Sequence, residues 1–532
     1  MKISRARNLS AISCGLVVAA CSLAACTTDT EDADGIAPPV AGVGPTVQAN
    51  GGIINGEIII GFKPGATAAD KVRARGKANA AHGEALAASG GGDLELATLP
   101  PGLALHAAAA ALKDDPAVDF AEPNYRVEHK GFPVGAVASD PRFGDQLWAV
   151  KNTSQLINPD DTSTPTRAVT GGADVDMDLS NAWAQMAIDG KVRPKVYVGI
   201  IDEGIDYSHP DLAGVIGNPN EQGPDPACTA AVCPDRCTDG KDNDGNGKID
   251  DCYGWDFVNN DRTIYDGTAR KPADAHGTHV SGTIGALANN GGVTGVTSNV
   301  GIISAKFLGT TGGTTAASIN AVAYLTGLKA KGVNIVASNN SWGGGGFSTG
   351  LYDAIKAAGT AGILFVAAAG NETTDTDATP SYPCSYGRDQ KSADTFSKGK
   401  IIPGKFYPAL TNVICVAAHD QDGKMGPASA AYFSNWGKNT VDVAAPGTNI
   451  LSTTPDNTYS YYRGTSMATP HVTGLVALLA SDGVPVSDIK ARITSTTVVN
   501  PAEFVTGRDT RTNGRVNAFR ALNSTNTVDP AN

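Results

Sequence analysis

Short apolar runs rich in β-branched residues alternate with helical patterns through the later two-thirds of the chain. These runs are VYVGIID, VGIISAKFLG, VNIVASNNSWG, GILFVAAAGN, VICVAAH and VDVAAPG. Such runs are typical of strands buried on both faces of a parallel sheet, with helices as crossovers. The pattern predicts an α/β domain with a doubly wound, mostly parallel sheet, whose functional residues lie at the carboxyl ends of the strands.

The preceding region has a different pattern and predicts a small α+β module. Strands are expected at GEIIIGF, DLELATL and AVDFAEPNYRV, and helices at AADKVRARGKANAAHGEAL and LHAAAAALKDD. A segment rich in Asp, Gly, Pro and Thr precedes the module and is typical of a flexible tether. A second linker is expected near Gly131 to Ser139.

The first residues predict an export signal. MKISRAR is followed by an apolar core from Leu9 to Ala20, which is too short to span a bilayer. The sequence LAAC, ending at Cys26, resembles a bacterial lipobox and predicts a lipid on Cys26. An ordinary cleavage site beside a chance cysteine is the alternative. We expect the protein to be exported from a bacterial cell.

Charge and cysteine content narrow the class further. The formal net charge is −12, which argues against a nucleic-acid or anionic-membrane partner. Beyond the signal and Cys26, an even number of cysteines remains, and in an exported chain this predicts disulfides. We expect Cys384 to pair with Cys415, whereas three connectivities are possible for the other four: Cys228, Cys233, Cys237 and Cys252.

Polar residues at the ends of predicted strands and helices form a candidate catalytic set. Ser466 lies near the start of a predicted buried helix, where free backbone N–H groups stabilise negative charge. A simple helix N-cap is the alternative for this serine. A nucleophilic serine also needs a base, a group that orients the base, and a donor for the oxyanion. His276, Asp202 and Asn371 are the candidates for these roles.

The motifs around these residues resemble those of the subtilisin-like serine proteases. They are D-x-G-I-D at Asp202, H-G-T-H-V-x-G at His276, A-A-G-N at Asn371 and G-T-S-M-A-T-P-H-V at Ser466. The chain order Asp, His, Ser is also that of the family. The resemblance implies a secreted endopeptidase of broad substrate range that forms an acyl-enzyme. Ser466 would be the nucleophile, His276 the general base, Asp202 its orienting carboxylate, and Asn371 an oxyanion donor.

The resemblance also implies a precursor with an inhibitory propeptide. The predicted organisation is a signal peptide at 1–25, a tether at 26–55, a ferredoxin-like propeptide at 56–130 and a catalytic domain at 140–522. We expect no catalytic cofactor, a monomer, and protein or peptide substrates, with the propeptide as intramolecular inhibitor. A lipid on Cys26 would hold only the precursor at the membrane, so the mature enzyme is expected to be extracellular.

Substrate-binding residues are implied by the same resemblance. One edge of the cleft would be an extended strand, and the facing wall would line the primary pocket. The residues concerned are Ser341, Trp342 and Gly343 for the strand, Ala368, Ala369 and Gly370 for the wall, and Gly312 to Thr314 for the other edge. Trp342 as a plain core residue is the alternative.

Glu203 departs from the family pattern, which has serine or threonine after the aspartate. In kexin-like relatives an acidic residue at this place lines the subsite next to the scissile residue and favours basic side chains. A surface carboxylate is the alternative for Glu203.

An acidic insertion, DGKDNDGNGKIDDC, separates Asp202 from His276 and predicts a structural calcium site. Gly247 permits the sharp turn that such a loop needs, and many bacterial relatives carry a similar stretch. Position twelve is Tyr253, not glutamate, so a full EF-hand is excluded. A solvated acidic loop is the alternative. The predicted ligands are Asp242, Asp244, Asn246, the Lys248 carbonyl and Asp250.

Other functions are less consistent with the sequence. His276 and His279 are spaced for zinc, but no third ligand lies near them, and His209 and His471 are expected to be packing or turn residues. An α/β-hydrolase esterase would require G-x-S-x-G and the order Ser, Asp, His. A non-catalytic binding protein on the same fold is disfavoured because all four candidate residues are present.

Overall fold

The computed structural model divides into two compact units, Met1–Glu128 and His129–Asn532. The predicted signal peptide, Cys26, most of the tether, the linker at 131–139, Cys228 and Cys233 lie outside the residues that the structure describes. Those residues are 53–86, 94–103, 105–113, 115–125, 146–157, 169–223, 236–267, 274–309, 312–313, 315–344, 347, 349–391, 395–397, 400–402, 406–425, 429–499 and 508–525.

The smaller unit contains a four-stranded antiparallel sheet and two helices. Its elements are β1 (Ile53–Phe62), α1 (Ala68–Lys77), β2 (Ala81–Leu86), β3 (Leu94–Thr98), α2 (Leu105–Lys113) and β4 (Val118–Tyr125). The strand order β2-β3-β1-β4, with a helix after β1 and after β3, is the predicted ferredoxin-like arrangement. Ile58, Ile60 and Phe62 alternate along β1 and are buried with residues of both helices.

The first helix of this unit is shorter than the sequence analysis predicted. We expected a helix over 68–86, but α1 ends at Lys77 and residues 81–86 form β2. Asn79 has a φ of 52°, a left-handed conformation that ends helices. The following segment pairs with β3, so sheet pairing overrides the helix propensity of its alanines.

Within its described residues, the larger unit is built on a nine-stranded sheet. The strands are β7 (Val196–Asp202), β8 (Gly254–Asp256), β9 (Val300–Lys306), β10 (Ile335–Asn340), β11 (Leu364–Ala368), β16 (Val413–His419), β17 (Val443–Pro446), β20 (Val498–Val499) and β21 (Gly514–Arg515). Their order in the sheet is β20-β21-β17-β16-β11-β10-β7-β9-β8. All neighbouring strands are parallel except β20 and β21.

Helices cover both faces of this sheet, and two hydrophobic clusters fill the space between. Val198 and Ile200 of β7 belong to one cluster, whereas the adjacent Ile201 belongs to the other. This alternation explains why the strand sequences are apolar throughout. The helices are α3 (Leu179–Ile188), α4 (Ala275–Gly285), α5 (Thr315–Ala330), α6 (Thr349–Thr360), α7 (Thr465–Ser481), α8 (Val486–Ser495) and α9 (Ala518–Asn523).

Small two-stranded pairs and disulfides complete the unit. Cys384 pairs with Cys415, as predicted, and Cys237 pairs with Cys252 across the acidic insertion. The paired strands are β5 (Leu156–Ile157) with β6 (Val169–Thr170), β12 (Gln390–Lys391) with β15 (Phe406–Tyr407), β13 (Thr395–Ser397) with β14 (Lys400–Ile402), and β18 (Ile450–Thr454) with β19 (Thr458–Tyr462).

The strand order fixes where a site can form. In the sheet, β9 lies on one side of β7 and β10 lies on the other. The chain thus continues to opposite sides of β7, and a binding site is expected beyond the carboxyl ends of β7 and β10. Asp202 ends β7, and Ser341 follows β10 directly. Among the described helices, none is long and apolar enough to cross a membrane.

Candidate active site

Asp202 and His276 form a close pair at the carboxyl end of β7. His276 Nδ1 lies 2.8 Å from Asp202 Oδ1 and 3.1 Å from Oδ2. The Asp202 side chain is fully buried, whereas the His276 side chain keeps 27% of its exposure. A buried carboxylate bound to Nδ1 selects the tautomer that carries its proton there, which leaves Nε2 as the basic nitrogen facing the exposed side.

Close backbone packing brings this pair together. Gly277 follows His276 in α4, and a Cβ atom at Gly277 would lie 2.0 Å from the carbonyl oxygen of Gly204. Gly204 belongs to the segment that follows Asp202. Glycine at position 277 therefore lets the start of α4 approach the end of β7 more closely than any other residue would allow.

Ser466 is the second residue of α7, behind the N-cap Gly464. It is thus not an N-cap residue itself. Helices α4 and α7 pack against one another. In this structure the Ser466 hydroxyl donates to the backbone carbonyl of Ser341 at 3.1 Å.

A proline connects Ser466 to Ser341 a second time. Pro470 lies inside α7 and has no N–H, so the Ser466 carbonyl lacks its usual donor four residues later. The Ser341 hydroxyl donates to that carbonyl at 2.8 Å. The two serines are therefore joined by reciprocal hydrogen bonds. Sequence reasoning missed this role of the Ser341 side chain, although Pro470, four residues after Ser466, is its signal.

Asn371 lies beside the start of α7 with its amide orientation fixed. Its Oδ1 accepts from both the backbone N–H and the hydroxyl of Thr465, each at 2.9 Å. The Nδ2 group lies near Gly464, at 3.4 Å from where a Cβ of that residue would be. Because Oδ1 is held by Thr465, Nδ2 is the end of the amide that can donate to a ligand.

The wall that precedes Asn371 is closely packed. Gly370 has a φ of 106°, and a Cβ there would lie 2.4 Å from Asn435 Nδ2 and 2.5 Å from Glu372 Oε2. Asn435 Nδ2 donates to both the Ala369 carbonyl and Glu372. Glu372, which sequence reasoning did not single out, is therefore tied to this wall.

Most of the remaining predicted cleft residues lie at or just after the ends of β10 and β11. Ala368 ends β11, and Ala368 and Ala369 are buried. Trp342 is half-buried and packs edge-on against Phe307 at 4.8 Å between ring centres, while Gly343 is exposed. Gly312 and Gly313 are exposed. Thr314 lies outside the described residues.

Charges around His276 favour its protonated form. Burial disfavours the imidazolium, but the charge and hydrogen bond of Asp202, together with the charge of Glu203, raise the pKa of His276 above its ordinary value. Burial, with the charges of Asp202 and Asp274, raises the pKa of the half-buried Glu203. Glu203 Oε2 accepts a hydrogen bond from the His276 backbone N–H at 3.3 Å.

The other histidines of this region have structural surroundings. His279 is buried, its Nε2–H donates to the carbonyls of Ile450 and Ser460, and its ring stacks on Tyr462. Burial lowers the pKa of His279 to about 3 and that of His471 to about 4. His209 Nδ1 accepts from the Asp211 N–H at the start of a short 3-10 turn. These contacts are those of packing and turn residues.

In the acidic insertion the structure brings together a ligand set that only partly matches the predicted one. Glu221, Asp244 and Asp251 each offer a carboxylate oxygen, and these atoms lie within 4.8 Å of one another. Asp242 instead accepts from the backbone N–H groups of Asn246 and Gly247. Asp250 faces Arg262 and the Gly240 N–H.

The cluster has the features of a cation site. Glu221 and Asp251 are fully buried, and Asp251 Oδ1 has no hydrogen-bond partner among the residues that the structure describes. Burial raises the pKa of Glu221 to about 7 and that of Asp251 to about 6. Burying these carboxylates costs free energy, and their negative charges also repel one another. A divalent cation that prefers oxygen ligands would reduce both the cost of burial and the repulsion. The residues present therefore fit a calcium ion.

Sequence reasoning missed Glu221 and Asp251. Asp251 is adjacent to the predicted ligand Asp250, but Glu221 precedes the loop by about twenty residues and carries no spacing signal. Its Oε1 accepts from the Asp244 N–H at 2.7 Å. The loop has no carboxylate at position twelve, and Glu221, from outside the loop, supplies one instead.

Comparisons with known proteins agree with the fold. The profile described as the Subtilase family matches residues 193–521, and that of the Fervidolysin N-terminal prodomain matches residues 43–124. The chain is thus a serine endopeptidase with a subtilisin-like catalytic domain and an N-terminal prodomain. It belongs to the subtilase family.

Individual relatives cover both parts of the chain. Thermitase of Thermoactinomyces vulgaris is 33% identical over 61% of this chain and 88% of its own length. A thermophilic serine proteinase of Bacillus sp. (strain AK1) is 29% identical over 89% of this chain and 88% of its own length. A solved protease of Pseudoalteromonas arctica is 26% identical, covering 66% of this chain and 94% of that one, with a TM-score of 0.45.

Proposed function

We propose that the chain is a self-processing, exported precursor of an endopeptidase that uses Ser466, His276 and Asp202 as its triad. The observation that carries the proposal is the 2.8 Å contact of His276 Nδ1 with the buried Asp202 carboxylate. Ser466, in the same unit, is the second residue of α7, and α7 packs against α4, the helix that carries His276. A base held by a carboxylate, near a serine at a helix start, is the arrangement that acyl transfer requires.

In the proposed reaction, Ser466 Oγ leaves the Ser341 carbonyl and donates to His276 Nε2. Oγ then attacks the carbonyl carbon of the scissile peptide while its proton passes to Nε2, and Asp202 stabilises the imidazolium. The C–N bond breaks as Nε2 returns the proton to the leaving amine, which gives the acyl-enzyme. Water, deprotonated by the same nitrogen, hydrolyses the ester and restores Ser466.

The negative oxygen of each tetrahedral intermediate would be stabilised by two donors. Ser466 N–H is free of hydrogen bonds among the described residues, because it lies in the first turn of α7. Asn371 Nδ2 is the second donor, held in that orientation by the contacts of Oδ1 with Thr465. The positive end of the α7 dipole acts in the same direction.

Substrate would bind as an extended strand between Ser341–Gly343 and the wall Ala368–Gly370. Recognition through backbone hydrogen bonds depends little on side chains, so a broad substrate range is proposed. It stays a prediction that Glu203 makes the enzyme favour substrates with a basic residue next to the scissile residue.

The prodomain would inhibit the enzyme until it is cleaved. The match to the Fervidolysin prodomain ends at residue 124, and the predicted linker follows it at 131–139. We place self-cleavage within that linker. After cleavage the catalytic unit would be free as a monomer.

Export and lipidation of the precursor are proposed from the N-terminal sequence alone. A lipid on Cys26 would be joined covalently to the prodomain side of the cleavage site. Self-processing would then release the active enzyme from the membrane to the extracellular space. Fractionation with antibodies to each part tests this, since processed enzyme that stays with membranes contradicts it.

A structural calcium ion is proposed at Glu221, Asp244 and Asp251. When bound, the ion would supply positive charge to buried carboxylates and so stabilise the insertion in its folded form. The disulfide Cys237–Cys252 spans the loop that contributes two of these carboxylates.

Substitution of Ser466 tests the proposed function directly. Ser466→Ala is expected to abolish peptide hydrolysis, by about 10⁶-fold as for the nucleophile of subtilisin, and to leave the prodomain attached in a protease-free host. A serine-reactive phosphonate should label the parent and not the variant. Ser481→Ala, at the other end of α7, is the matched control. Hydrolysis by Ser466→Ala would overturn the proposal.

A further inference from the structure

Helix α4, which carries His276, begins without a cap from its own N-cap residue. Asp274 occupies that position with a φ of 52° and makes no side-chain cap bond. Its carboxylate instead contacts Lys306 Nζ at 2.8 Å and accepts from the Asp266 N–H at 2.8 Å. The first backbone N–H groups of α4 therefore need another acceptor.

Glu203 provides that acceptor from the neighbouring strand end. Its Oε2 accepts from the His276 backbone N–H at 3.3 Å. The Glu203 backbone N–H donates to Asp202 Oδ1 at 2.7 Å, and this is the oxygen that lies 2.8 Å from His276 Nδ1. One residue thus contacts both members of the Asp202–His276 pair, through its carboxylate on one side and its backbone on the other.

We propose that Glu203 is a positioning residue that caps α4 and holds His276 against Asp202. The inference rests on the triad proposed above. A carboxylate at a helix N-terminus both satisfies an N–H group and interacts favourably with the helix dipole. It also places a negative charge beside the imidazole, and this favours the protonated state that His276 reaches in the transition state.

Other charged groups face this pair and must stay constant in any test. Asp202 precedes Glu203 in the chain. Asp274 lies at the start of α4, where Lys306 forms ion pairs with both Asp274 and Asp266. His279 on α4 and His471 on α7 are buried with lowered pKa values, so both are neutral near pH 7. Glu203 is therefore the carboxylate whose removal changes the charge at His276 without breaking an ion pair.

Two variants separate the hydrogen bond from the charge. Glu203→Gln keeps an acceptor for the His276 N–H and loses the charge, whereas Glu203→Ala loses both. Loss of a helix cap corresponds to about a fivefold decrease in kcat if it is felt fully in the transition state. We expect this decrease for Glu203→Ala with KM unchanged, on peptides with either Ala or Lys next to the scissile residue, and a recovery of most of kcat in Glu203→Gln.

A readout independent of turnover is the titration of His276 by NMR in the mature, processed enzyme without substrate. Removing the Glu203 charge should lower the pKa of His276 in both variants. Because catalysis requires a neutral His276, the acid limb of kcat should move to lower pH in the same variants. Asp261→Asn, which removes an exposed carboxylate, is the control and should change neither quantity.

Three results would overturn the proposal. If both variants lose only the preference for Lys over Ala substrates, Glu203 is a subsite carboxylate. If neither kinetics nor the His276 titration changes, Glu203 is a surface residue. If Glu203→Gln is as slow as Glu203→Ala, the hydrogen bond to α4 is not what matters. Failure of the triad itself would appear separately, as hydrolysis by Ser466→Ala alone.

Discussion

The proposed catalytic centre and the acidic insertion both bury carboxylates, but they balance the charge differently. Asp202 has the His276 imidazole at 2.8 Å and the Glu203 N–H at 2.7 Å. Glu221, Asp244 and Asp251 face one another within 4.8 Å, and their hydrogen bonds come from amides, backbone N–H groups and one tyrosine hydroxyl.

The difference separates a preorganised site from one that depends on a ligand. At the proposed catalytic centre, the contact between His276 and Asp202 is formed within the same chain, before any substrate arrives. In the insertion, burial raises the pKa of Glu221 to about 7 and that of Asp251 to about 6, although hydrogen bonds to both carboxylates partly oppose this shift. We therefore expect the first site to respond to single substitutions and the second to cations.

Among the substitutions that test this comparison, Asp202→Asn has the largest expected effect. The amide has the shape of the carboxylate but favours the wrong tautomer of His276, so kcat should decrease by about 10⁴-fold, as measured with a neutral peptide substrate. The response of the melting temperature to calcium should not change. Asp442→Asn, another buried aspartate, should affect stability without this loss of kcat. A decrease below tenfold would show that Asp202 does not orient the base.

A smaller effect is expected at the oxyanion donor. Asn371→Leu removes Nδ2 and should lower kcat by about 10²- to 10³-fold with KM nearly unchanged. Because Asn371 also accepts from Thr465, Asn371→Asp is the matched variant, since it keeps that acceptor but lacks the donor. Steady-state kinetics of both should agree. An active Asn371→Asp enzyme would mean that the asparagine acts only by holding Thr465.

The residues of the candidate active site could be singled out from the sequence because each stands at the boundary of a predicted element. Asp202 ends an apolar strand run and Ser466 begins an apolar helix, so their places follow from periodicity. The motifs add His276 and Asn371. The contacts between these segments could not be predicted in this way. The reciprocal bonds of Ser341 with Ser466 and the cap of Glu203 on α4 depend on which elements become neighbours in the sheet.

The insertion shows the same limit more clearly. Spacing predicts ligands only within one continuous loop, so it includes Asp244 but cannot find Glu221, which arrives from a separate turn. In the prodomain, residues 81–86 continue the helical pattern of α1 in sequence but form a strand, because pairing with β3 is a tertiary contact. Local patterns predicted element types where burial and propensity agree, and failed where they compete.

The melting temperature of the mature enzyme should respond to calcium. Calcium at about 100 times its Kd stabilises a single site by about 2.7 kcal/mol, which for a catalytic domain of this size is a rise of roughly 3 °C in Tm. Chelation should lower the Tm of the mature enzyme, and added calcium should restore it. Glu221→Gln should weaken this response, as followed by calorimetry.

The control for that experiment is an aspartate on a different loop. Asp422 pairs with Lys424, and Asp422→Asn should keep the full calcium response. A Tm that chelation leaves unchanged in the parent enzyme would contradict the metal site and leave the insertion braced by Cys237–Cys252 alone.

The smallest effect is expected for Asp250→Asn, and it distinguishes the two ligand sets. Spacing along the loop includes Asp250 among the ligands, whereas in the structure its carboxylate faces Arg262 and the Gly240 N–H, outside the cluster. Arg262 is about half exposed, so loss of this ion pair should cost about 1 kcal/mol or less. Asp250→Asn should therefore lower Tm slightly and keep the calcium response that Glu221→Gln loses. If both variants lose that response equally, the loop binds calcium by its own spacing, and the arrangement around Glu221 is not the one that holds the ion.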